Sequence, residues 1–159
     1  MYPFYNYRVS NWEAVLSFLY HSLYAEEMVC AMSSELFHIP ETKDLKGNNE
    51  MHSHLVPASY HRITAVGSSQ RLTNGEQRQS IIDTLIACII NAETQDKKVR
   101  EGLDTMAENA PTEYKSFMET IIIWQEQAEA YLNETKEALQ SMGISVPSES
   151  EQYSSRGWS

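Results

Sequence analysis

Asp83-Thr84-Leu85-Ile86-Ala87-Cys88-Ile89-Ile90-Asn91-Ala92-Glu93 is a strongly apolar run that ends on a carboxylate. Ile82, Ile86, Ile89 and Glu93 are spaced 4, 3 and 4, which puts all four near one face of an α-helix. Such a face points at a core. An ionised carboxylate there costs several kcal/mol unless a cation or hydrogen-bond donors meet it. Glu93 therefore directs a search along the chain for whatever meets it.

An earlier stretch carries the same pattern. Trp12, Leu16, Leu19, Leu23, Glu26, Cys30, Ser33 and Phe37 alternate by 4 and 3, a helix seam in which Glu26 interrupts apolar or small residues. At an offset of 67, Leu19 matches Ile86, Leu23 matches Ile90, Ala25 matches Ala92 and Glu26 matches Glu93. Two helices thus carry an apolar run followed by Ala-Glu, as in a duplicated helical hairpin. Glu27, one position off the seam, is expected at the rim or in solvent.

Four long helices follow from the punctuation. The first is expected from after Ser10, with Ser10 and Glu13 as a capping box, to about His38, ahead of Pro40. The second is expected from Asn48 or Asn49 to about Gly67, with Pro57 kinking it or delaying its start. A loop over 68–74 leads to a second capping box, Thr73 and Glu76, and a third helix from about Gly75 to Glu108. After Asn109-Ala110-Pro111, the fourth runs from near Thr112 to before Gly143. No strand signal competes, so the chain reads as all-α, and helices near 30 residues make rods of roughly 40 Å, suited to a four-helix bundle. The bundle is expected over residues 10–142. An extended aromatic arm, residues 1–9, precedes it. A Ser- and Glu-rich tail, residues 143–159, is expected to follow it as disordered chain that carries Trp158.

In the fourth helix, Ile122, Glu126 and Glu129 fall on one side, giving two carboxylates a turn apart beside a very apolar run. A competing seam, Ile121, Gln125, Ala128 and Leu132, would turn both outward. In the second helix, His54, Ala58, His61 and Ala65 share a face. His61 follows Glu26 by 35 residues and Glu129 follows Glu93 by 36, so the two hairpins correspond.

These positions resemble the ferritin-like family in its rubrerythrin-type branch. That family is an antiparallel four-helix bundle whose dimetal site takes one Glu from each of two helices and Glu-x-x-His from each of the others. The resemblance implies metal ligation by Glu26, His61, Glu93, Glu126 and Glu129, with Glu129 standing where a His would be. It implies iron or manganese as the metal, and oxygen or peroxide chemistry or iron handling as the activity. Ala58 stands where the second helix's Glu would be, so the usual bridging carboxylate is missing. Glu50 and His54 would substitute only if Pro57 bent them inward. Tyr20, Tyr24, Tyr60 and Trp124 read either as lining such a pocket or as plain core.

The Ala58 gap motivates a second reading, a degenerate bundle that kept the fold, lost the metals and serves as a structural or assembly protein. A third is an acidic helical module that binds a basic partner. The chain has 159 residues, enough for one domain with a real core, and 42% of them are hydrophobic. Its 12 basic and 22 acidic residues give a net charge of −10, which argues against non-specific nucleic-acid binding, because phosphate contacts need a basic surplus. The apolar runs are too short to span a bilayer, and no leader pattern opens the chain, so a cytoplasmic protein is expected. Cys30 and Cys88 read as buried free thiols. Long amphipathic helices leave apolar strips on more than one face, so a homodimer or larger homo-oligomer is expected.

Overall fold

The computed structural model describes residues 11–147. The aromatic arm, Ser10 of the first capping box and residues 148–159 of the expected tail lie outside the described residues. Four long helices account for the described chain, and no strand occurs within it. They are α1 (Asn11–Glu35), α2 (Asn48–Thr73), α3 (Gln79–Asn109) and α4 (Lys115–Ser141). Short 3-10 turns, Leu36–His38 and Thr112–Tyr114, adjoin α1 and α4. Each helix packs on two others: α1 on α2 and α4, α3 on α2 and α4.

Helix α2 is longer than its spacing suggested. It passes through Pro57 and takes in residues 68–73, because both of its flanks are packed and tertiary contact overrides the local preference. Thr73 therefore ends α2 and does not cap α3; its hydroxyl bonds back to the Ser69 carbonyl at 2.7 Å. Glu76 pairs with Arg71 instead of closing a capping box. The overlooked signal is Gly75, which stops α2. At φ +99° it lets its own N–H reach Leu72 O and that of Glu76 reach Arg71 O. The same arrangement ends α4, where Gly143 N–H meets Gln140 O and Ile144 N–H meets Leu139 O. Ile144 and Val146 then pack against the core, so the first residues of the expected tail belong to the bundle.

At the far end, α2 and α3 approach closely. A Cβ on Gly102 would lie 2.6 Å from Met51 Cβ, so only glycine allows this spacing.

The core comes in two parts. One, near the α2–α3 connection, joins Trp12, Val15 and Leu19 to Ala65, Leu72, Leu85, Ile89, Leu132 and Leu139. The other joins Val29 and Leu36 to Met51, Leu55, Val99, Leu103, Met118 and Ile121. Between them, at mid-height, every helix turns a polar group inward: Ser22 and Glu26 on α1, Arg62 on α2, Asp96 on α3 and Gln125 on α4. The candidate site is this layer.

Candidate functional site

Arg62 occupies the middle of the layer and is fully buried. Met51, Leu55, Ala58, Arg62, Ala65, Ser69 and Leu72 are all buried and alternate by 4 and 3, so Arg62 rides the inner stripe of α2. Its guanidinium donates Nη1–H to Asp96 Oδ1 at 2.8 Å and Nη2–H to Asp96 Oδ2 at 2.7 Å. Such a fork is the strongest neutralising geometry a carboxylate and an arginine can form. Nε–H goes to Ser22 Oγ at 2.8 Å, and the Ser22 hydroxyl donates on to the Ala128 carbonyl at 2.7 Å. Nη1 also pairs with Glu26 Oε2, while Ser59 donates to Glu26 Oε1 at 3.3 Å. One side chain thereby ties together all four helices.

The charges in the layer do not cancel. Two buried carboxylates share one guanidinium. Burial pushes the Glu26 carboxyl up to about 7; Arg62 pulls it down and Asp96 pushes it further up. Burial works against the charge on Arg62, but Asp96 and Glu26 outweigh it and raise its pKa. Arg62 is therefore a permanent cation, and Glu26 is the group that takes up a proton as pH falls towards neutrality.

Of the five expected ligands, only Glu26 lies in the layer. Glu93 keeps 34% of its side chain exposed and pairs with Lys136 Nζ at 2.9 Å. The carboxylate of α3 that reaches the interior is Asp96, one turn on. Glu126 is exposed and stands 4.0 Å from Arg100; Glu129 is half-buried and 3.5 Å from the same guanidinium. Burial raises the Glu129 pKa against the pull of Arg100. His61 is partly exposed, with its ring edge-on to Tyr60, and partial burial lowers its pKa. Tyr20, Tyr24 and Tyr60 are exposed, neither lining a pocket nor filling the core.

His52 and His54 are half-buried. His52 shares a hydrogen bond with Ser33 and burial lowers its pKa; His54 bonds Gln95. Ala58 is buried one turn before Arg62. Cys30 and Cys88 are free thiols, half-buried and buried.

The residues that sequence spacing missed are Arg62, one position after His61, and Asp96, one turn after Glu93. Asp96 continues Leu85, Ile89 and Ala92 into Val99 and Leu103 at steps of 4 and 3, a stripe readable in the sequence.

This donor set does not fit a dimetal centre. A guanidinium stands among the carboxylates where positive metal ions would need to be, and it engages both oxygens of Asp96 and one of Glu26. Among the described residues, no group of three or more His, Cys, Asp or Glu is placed to hold a metal ion. A cavity of about 140 Å³ opens beside the layer, lined by Glu93, Asp96, Lys97, Glu129 and Leu132. Its three carboxylates are already met by Lys136, Arg62 and Arg100. Among the described residues, no helix is long and apolar enough to cross a membrane. No family model, no curated protein and no solved structure matches the chain.

Proposed function

We propose that this chain is a ferritin-like four-helix bundle that works without metal, as a structural or assembly protein. The observation that carries the reading is Arg62, a fixed internal cation held by Asp96, Glu26 and Ser22 at the level of the expected metal site. It supplies the positive charge that the inward carboxylates demand, and it is neither exchangeable nor redox-active.

Contacts along helix pairs support the antiparallel arrangement of that family. Ser22 meets Arg62 while Ser33 meets His52, so residue numbers rise along α1 as they fall along α2. Glu93 meets Lys136 and Arg100 meets Glu129 in the same sense along α3 and α4. Two free thiols support a reducing, cytoplasmic setting. The rival reading, an iron- or manganese-dependent oxidoreductase or iron-handling protein, draws on carboxylates that Arg62, Lys136 and Arg100 already engage.

Elemental analysis tests the proposal. The full chain, purified without chelator and then exposed to Fe(II) or Mn(II), is expected to retain neither above background. Stoichiometric metal that disappears in Glu93→Ala would overturn it.

A further inference from the structure

Among the described residues six large apolar side chains lie in solvent: Ile123 on α4, and five on α1 and α2, exposed from 45% for Tyr20 to 68% for Val56, the others being Tyr24, Tyr60 and Ile63. Val56, Tyr60 and Ile63 follow one another on α2 at steps of 4 and 3, and Gln70 continues that stripe a heptad later. Tyr20 and Tyr24 are one turn apart on α1. The Gln70 amide donates to the Tyr20 hydroxyl, which joins the two stripes into one face. Trp124 of α4 meets Tyr24 edge-on, at 5.9 Å between ring centres.

The face also carries little charge, in a chain with 12 basic and 22 acidic residues; Glu27, which follows Tyr20 and Tyr24 at steps of 4 and 3, is its one exposed carboxylate. Residues 14–34 and 51–70 hold only Glu26, Glu27 and Arg62, and of these Glu27 alone is exposed. Elsewhere the outward surface of the described bundle mixes both signs with an excess of acidic side chains. Two copies bearing −10 each repel wherever those surfaces meet. The α1–α2 face is where a second copy can approach with almost no like charge opposed.

We infer that the α1–α2 face is the seat of a second copy of this chain, in a two-fold, isologous dimer. The inference deepens the assembly reading and rests on it. Tyrosines of about 200 Å² each, exposed by half to two thirds, together with Val56 and Ile63, offer on the order of 500 Å² per copy. Paired, the two faces bury on the order of 1,000 Å², the size a biological interface has to clear and the range of a reversible dimer. Tyrosine suits the centre of such a contact, since it brings large area for little lost side-chain entropy.

Sedimentation of the full chain at micromolar concentrations tests this. The wild type is expected to be a dimer. In Tyr60→Glu combined with Ile63→Glu, the dissociation constant is expected to rise on the order of a hundredfold, since both positions sit inside the contact. Circular dichroism checks that the variant folds; if it does not, Tyr60→Ser with Ile63→Ser reads the same weakening without added charge. A monomeric wild type overturns the proposal and leaves the face to a different protein or to the chain's own aromatic N-terminus. A dimer unaffected by either pair of substitutions overturns it too. Neither outcome bears on metal content, by which the metal-free centre is judged separately.

Discussion

Arg62 and Asp96 meet fork to fork, at 2.8 and 2.7 Å, across the contact between α2 and α3 and almost entirely out of water. Asp96 takes both ends of the fork, and Glu26 must share what remains. The behaviour of the bundle centre follows from that inequality.

Replacing Arg62 with Met is expected to destabilise the bundle by about 3–5 kcal/mol, because two carboxylates are then left buried without a cation. Arg62→Lys recovers only part, since an ammonium cannot make the bidentate fork. The triple variant Arg62→Met, Glu26→Gln, Asp96→Asn is expected to regain much of the loss. Urea unfolding measures all three, and a cost below about 1 kcal/mol for Arg62→Met would remove the guanidinium from its central place.

The Glu26 carboxyl gives stability a pH dependence of unusual sign. Its pKa is raised in the fold, from 4.5 to about 7, so the folded chain binds the proton more tightly than the unfolded chain. The associated stability is present in full below about pH 4.5 and is lost as pH climbs through about 7. The size is on the order of 3 kcal/mol, by the 1.36 kcal/mol that each pH unit carries. Urea midpoints for Glu26→Gln should lack this decline; a wild type whose stability rises across the same window would contradict it.

Asp96→Asn and Glu93→Gln separate the inner carboxylate from the outer one. The first leaves Arg62 short of its main partner and is expected to cost about 2–4 kcal/mol. The second breaks a half-exposed pair with Lys136 and is expected to cost less than about 1 kcal/mol. Thermal unfolding ranks them, and the reverse order would restore Glu93 as the inward residue.

Gly102→Ala is expected to cost about 1–3 kcal/mol, since the added methyl must displace Met51 backbone and side chain together. Met51→Ala in the same chain should relieve part of that clash while adding its own cavity cost. A double-mutant cycle shows whether the two positions are coupled.

Much of the fold was readable before any coordinates. Helix number, the end of α1 and the inward turn of Glu26 follow from 4-3 spacing and from Pro40. The phase of α3 did not follow, for a physical reason. Residues 81–92 are apolar on nearly every side, so Ile82-Ile86-Ile89-Glu93 and Leu85-Ile89-Ala92-Asp96 fit a helix equally well. Only the polar second half, where Val99, Leu103 and Met106 are buried, settles it, and that stripe leads back to Asp96. In α4 the seam through Ile121, Gln125, Ala128 and Leu132 is the buried one, which is why Glu126 faces out. Arg62 was passed over because an arginine is almost never fully buried, and its warrant lies on three other helices that sequence spacing does not connect to it.

A layer of ions between two oily halves also acts as a ruler. Sliding α2 by a single turn would carry the guanidinium about 5.4 Å along the axis, beyond reach of Asp96, Glu26 and Ser22 at once. It would lodge among leucines and valines, and the acids would be stranded. Apolar stripes alone tolerate such a slip, since one leucine replaces another. Here the neighbouring alignments are heavily penalised, and the helices have one height at which they can lock.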